Sequence, residues 1–107
     1  MIIYNVTITV SRDIETEWLD WMKRVHIPDV LQTACFSECH IYKLSDAESE
    51  EPTYVLQYHC RSLDDYRRYQ DQFAPDLQKQ HSEKFAGHFR ASRQMLHEIA
   101  VAASKTL

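Results

Sequence analysis

One glycine, three prolines and three cysteines are all that this 107-residue chain holds of the residues that punctuate or cross-link small proteins. With Gly87 standing alone, a glycine-rich loop that cradles phosphate on bare backbone is excluded, and with it the usual nucleotide-binding motifs. Cys35, Cys39 and Cys60 are odd in number and follow no export signal, which favours reduced thiols over a disulfide framework. Positive charge is short as well. Twelve Lys and Arg against sixteen Asp and Glu, with a pI near 5.8, leave no basic stripe to neutralise phosphates, so neither nucleic acid nor an anionic membrane is an expected partner. The apolar run at residues 1–10 has no basic leader, no small-residue cleavage site and too little length to span a bilayer, and a cytoplasmic protein is expected.

What is present is a sequence of hydrophobic periods. Residues 2–10 alternate, with Tyr4, Val6, Ile8 and Val10 on one face and Ile3, Asn5, Thr7 and Thr9 on the other. Ser11 to Asp13 offers capping side chains, after which Ile14, Trp18, Trp21 or Met22, and Val25 recur at helical spacing. Pro28 cannot donate to the carbonyl of Arg24 and disfavours helical geometry at Ile27, so a kink or restart is predicted around residues 26–30. Residues 36–44 and 53–61 are β-rich and flank the acidic stretch 45–52, which reads as the solvated tip of a hairpin. Ser62 is placed to cap a second helix with a stripe of Tyr66, Tyr69, Phe73 and Leu77, interrupted at Pro75. Gly87 turns the chain into a last strand at about residues 88–99, and 100–107 reads as a tail.

The order is β-α-β-β-α-β in a single domain over residues 1–107. That is an α+β, ferredoxin-like pattern: an antiparallel four-stranded sheet with two helices on one face. At 12.7 kDa the chain can bury roughly 65% of its unfolded surface, enough for one core and not two. Two helices leave one sheet face bare. With Ile3 and Val55 on it, that face is expected to be an apolar patch hidden by sheet-to-sheet packing of a second copy, which predicts a homodimer.

The chemistry is less marked. None of the six histidines pairs at i, i+4 on one helix, and there is no C-x-x-C. Across the hairpin, one register pairs Cys39 with Cys60 and His40 with His59 on opposite faces; the other sets His40 against Tyr58. Either way no tetrahedral metal site forms. Neighbours on one strand, His59 and Cys60 point to opposite faces, which argues against a Cys–His nucleophile. The aromatic residues fall mainly on buried stripes and read as core. His26 reads as an imidazolium at a helix C-terminus or as an acid or base on a pocket rim. Polar side chains on strand faces that should be interior need partners, so Asn5, Thr7, Gln57 and His59 are candidate ligand-binding residues. A small-ligand-binding protein is one reading. The alternative is a non-catalytic structural or regulatory homodimer in which those groups bond only each other.

The stretch W-x-x-W-M-K-x-V-H-I-P-D-V-L-x-T-x-x-F from Trp18 to Phe36, with M-I-I-Y-N-V-T at the start and V-L-Q-Y at Val55 to Tyr58, resembles an uncharacterised bacterial family of the dimeric α/β-barrel superfamily. That superfamily includes antibiotic-biosynthesis and haem-degrading monooxygenases, so the resemblance implies a cofactor-independent or haem monooxygenase-like activity without naming a cofactor. By similarity to the haem-degrading members, Asn5 would stand at the first-strand Asn, Tyr69 at their helical aromatic residue, which is a Trp there, and His81 at the iron ligand, making these three the catalytic candidates. A solvated His81 on an exposed helix face is the structural alternative.

Overall fold

A computed structural model of the chain describes residues 1–45 and 51–105. Strand β1 runs Ile2–Val10, and after a 3₁₀ turn at Arg12–Ile14 come helix α1, Glu15–Trp21, a π-helical turn at Met22–His26 and helix α2, Ile27–Gln32. Strands β2, Glu38–Lys43, and β3, Thr53–Cys60, form the hairpin. Helices α3, Leu63–Gln72, and α4, Ala74–Lys84, follow, and strand β4, Phe89–His97, closes the order. All pairings are antiparallel in a four-stranded sheet of order β2-β3-β1-β4. This is the α+β ferredoxin-like fold that the order of periods implies.

Two of the three prolines act as helix restarts. Pro28 and Pro75 stand in the first turns of α2 and α4, where a missing N–H leaves no bond unmade. Ahead of Pro28 the carbonyl of Arg24 has no donor four residues on, and the chain passes it in a wider π turn before α geometry resumes at Ile27. Ser62 caps α3 as its spacing suggests, its Oγ accepting from the Asp65 amide at 3.1 Å. Ser11 does not cap: it makes no side-chain cap bond and instead donates to the His88 carbonyl at 3.4 Å. Gly87 takes φ +79°, as its place before β4 requires. A second left-handed residue, Ala34 at φ 61°, ends α2 without a glycine. Arg68 donates to the carbonyls of Thr33 and Ala34 there and helps hold a conformation that disfavours any Cβ.

The faces divide by parity. Tyr4, Val6, Ile8, Val10, Tyr54, Leu56, Tyr58 and Cys60 point under the helices and are buried with Trp18, Met22, Val30, Phe36, Tyr69 and Phe85. Val25 does not join the helical stripe; it is 40% exposed, because the π turn rotates the residues after Met22 away from the sheet. The hairpin takes neither anticipated register. Cys39 pairs with Tyr58, His40 with Gln57 and Ile41 with Leu56. A two-residue slip from the Cys39–Cys60 pairing preserves both faces, so Cys39 and Ile41 still meet the core. Asp46, Glu48 and Glu50 of the acidic tip lie outside the described residues. Residues 98–105 carry no helix or strand and are exposed.

The open face is not an apolar patch. Ile3, Val55, Tyr42 and Leu96 stand on it among Asn5, Thr7, Thr9, Gln57, His59, His40, Ser92 and Gln94. The reason lies in β1, whose open-face positions are one isoleucine, one asparagine and two threonines.

Candidate functional site

The sheet separates the residues singled out from sequence. Asn5, Thr7, Gln57 and His59 lie on the open face, while Tyr69, His81 and His26 lie on the helix side. Asn5 and His81 therefore cannot meet in one cavity, since adjacent strand positions send side chains through opposite faces. On the open face the amides satisfy each other: Gln57 Nε2 donates to Asn5 Oδ1 at 3.2 Å, and Asn5 Nδ2 donates to Gln94 Oε1 at 3.3 Å. His59 stacks on His40 with ring centroids 4.8 Å apart, and Glu38 approaches both rings. Among the described residues no cluster of His, Cys, Asp and Glu could hold a metal ion.

On the helix side the picture is different. A cavity of about 30 Å³ lies between the sheet and the helices, lined by Tyr4, Met22, His26, Tyr58, Tyr69, Gln78, His81 and Arg93 among others. Tyr4 and Tyr58 come from β1 and β3, Tyr69 and His81 from α3 and α4, His26 from the π turn and Arg93 from β4. Arg93 pairs with Val6 and so shares the helix face, but β4 is a sheet edge and the arginine is exposed.

His81 is 5% exposed, not solvated. Its Nε2 accepts from the Trp18 indole N–H at 2.9 Å, a buried bond that joins α1 to α4. Burial pushes its pKa down to about 4, with the neighbouring His26 and Arg93 adding to the effect. The ring is therefore neutral near pH 7, and with Nε2 accepting, its one proton sits on Nδ1. His26 is also neutral, burial again lowering its pKa to about 4. It is not an imidazolium at a helix end, because the chain continues through the π turn into α2 and the ring packs inward on Trp21 at 5.3 Å and His81 at 5.7 Å between centroids. Its Nδ1 is buried with no hydrogen-bond partner among the described residues. Tyr69, 3% exposed, meets Phe36 edge to face and Tyr4 at a tilt, and burial raises its pKa. The Tyr4 hydroxyl is raised by burial too, offset in part by the charge of Arg93.

A haem does not fit this arrangement. The nitrogen of His81 that faces Trp18 is occupied, Asn5 is behind the sheet, and the cavity is an order of magnitude below the ~300–1,000 Å³ of pockets for drug-sized ligands. The sequence reading overlooked Arg93, Tyr4 and Gln78. Alternation alone could have placed Arg93 on the helix side, since it follows Phe89 and Ala91 at even spacing in β4.

A family model described as a domain of unknown function (DUF4286) matches residues 1–99. No curated protein matches the sequence. Among solved structures the chain is similar to a dimeric ferredoxin-like protein from an uncultured marine organism, at 14% identity and TM-score 0.70 over 97% of this chain and 100% of that one. It is also similar to SnoaB, a cofactor-independent oxygenase from Streptomyces nogalater, at 11% identity and TM-score 0.65 over 96% and 98% of the two chains. A third similar structure is a monooxygenase of Streptomyces coelicolor in complex with nanaomycin D, at 10% identity and TM-score 0.59 over 95% and 92%. At such identities the likeness is one of fold. Among the described residues no helix is long and apolar enough to cross a membrane.

Proposed function

The chain belongs to the DUF4286 family, and for this member we propose that the cavity on the helix side is a small-molecule site, taking the polar head group of an organic ligand. One observation carries the reading: the buried, unpartnered Nδ1 of His26 in a cavity that also holds Arg93. A buried polar atom without a partner costs roughly 1–3 kcal/mol, a debt that a bound hydrogen-bonding group removes. Of the two oxygenase-like activities, the cofactor-independent one suits these residues better, because it asks for a pocket and a proton acceptor rather than a free iron ligand. The structural likeness to SnoaB supports the same choice. Thermal-shift titration against quinones, flavins, aromatic acids and haem tests the site. A compound at a hundred times its Kd raises stability by about 2.7 kcal/mol, the rise is weakened in Tyr69→Leu, and binders are then assayed for oxygen uptake. Absence of any shift in the wild type overturns the ligand reading.

The chain is further proposed to be a homodimer joined through the open face. Tyr42 and Leu96 are 50% and 40% exposed there, and Ile3 and Val55 extend the contact. The Asn5, Gln57 and Gln94 amides, already bonded to one another, favour a docking role for this face over a ligand there. With no ligand in the cavity either, the protein would be a structural or regulatory dimer. Sedimentation showing a stable 12.7 kDa monomer at micromolar concentration overturns the pairing.

A further inference from the structure

Three features of the cavity stand together. His26 and His81 face each other with ring centroids 5.7 Å apart, His26 presents a buried Nδ1 with no partner, and Arg93 lines the same space from the sheet edge. Among the described residues no carboxylate lies within ion-pair distance of Arg93. The cavity volume, about 30 Å³, accommodates about two waters, since one water needs roughly 10–15 Å³ on this measure. That is the size of a planar two-oxygen head group, so a ring bonded to such a group would stay at the cavity mouth beside the exposed Arg93.

Resting on the ligand reading above, we propose that the site binds a small organic carboxylate together with one proton, the carboxylate meeting Arg93 and the proton held by His26 of the facing histidine pair. Arg93 suits the anion because its planar guanidinium matches two carboxylate oxygens. The proton follows from charge. The groups that face His26 are His81 from α4, Arg93 from β4, Asp29 from α2, and the Tyr4, Tyr58 and Tyr69 hydroxyls from β1, β3 and α3. Of these, Arg93 opposes protonation of His26 and Asp29 favours it, while burial outweighs both. A bound carboxylate neutralises Arg93 and places a negative charge beside the imidazole, so both changes favour the protonated ring. His81 is the poorer proton carrier, because Trp18 Nε1 already donates to its Nε2. The proton comes from solvent, and binding thereby becomes pH-dependent.

The test uses benzoate and its neutral isostere benzamide on the full chain, followed by isothermal titration in phosphate and Tris and by histidine ring NMR. Benzoate is expected to bind more tightly than benzamide, to take up a proton, and to gain affinity by up to about tenfold per unit as the pH falls from about 7 to about 5.5. The His26 ring resonance shifts its titration upward. Arg93→Gln removes the preference for benzoate, and His26→Gln abolishes proton uptake while the fold stays intact by its NMR dispersion. Benzamide binding in the cavity as well as benzoate, or benzoate binding without proton uptake, overturns the carboxylate and proton assignment while leaving the ligand site standing. Failure of both probes to perturb any residue of the cavity overturns this inference, and the ligand reading is then judged by its own thermal-shift screen.

Discussion

On the helix face of β1, Tyr4, Val6, Ile8 and Val10 are each no more than 6% exposed, whereas the alternate residues Ile3, Asn5, Thr7 and Thr9 on the open face stay only half-buried. The two faces also treat their polar groups in opposite ways. On the open face Asn5, Gln57 and Gln94 pair off in a short amide ladder, while on the helix face a histidine nitrogen is buried and left without a partner. A surface that can still meet water or a second chain keeps its groups satisfied by neighbours. An interior that leaves one unsatisfied does so where something else can enter.

The widest separation between the faces is expected in folding energy. Trp18→Ala removes a side chain with no exposed surface and strands the acceptor on His81, so it should cost about 3–5 kcal/mol in urea unfolding. A loss below about 1 kcal/mol would mean that the helix face is not the core.

Acid should act through the same face. His26 and His81 titrate near 4 when folded, against an ordinary value of 6.5, so between those limits the unfolded chain binds more protons than the folded one. Their contribution is complete above about pH 6.5 and is lost as the pH falls toward 4, at most about 3 kcal/mol from each ring. His81→Gln keeps an acceptor for Trp18 but removes one titration, and should flatten the acid limb of the stability profile. An unchanged limb would separate the histidines from acid sensitivity.

Open-face changes are expected to read out in association before stability. Val55→Lys should shift sedimentation from dimer to monomer while altering the urea midpoint of the monomer by less than about 1 kcal/mol. If folding suffers as much as in Trp18→Ala, the distinction between the faces fails. The smallest effect belongs to the amide ladder: a double-mutant cycle of Asn5→Ala and Gln57→Ala should give a coupling of roughly 0.5–1 kcal/mol by chemical denaturation.

Much of the fold could be read in the chain because its signals are local. Alternation over residues 2–10 places Tyr4 inside and Asn5 outside without reference to any other element. Ser62 and Gly87 act within a turn of themselves. The misreadings came where local signals compete or run out. Ser11 has the composition of a cap but bonds to His88, and Val25 keeps helical spacing while the π turn swings it outward. The hairpin register missed both anticipated pairings, by two residues from Cys39–Cys60 and by one from His40–Tyr58, because spacing across an eight-residue connection does not count paired residues.

The sequence by itself determined the order of elements, the two faces of β1 and the helix restarts at Pro28 and Pro75, since each depends on backbone chemistry within a few residues. Only the tertiary structure decided that Trp18 meets His81 across 63 positions, that His26 and Arg93 open on the same cavity, and that Asn5 stands behind the sheet from both. Periodicity says which way a side chain points. Which side chains converge depends on distances between elements remote along the chain, and those are set by packing alone.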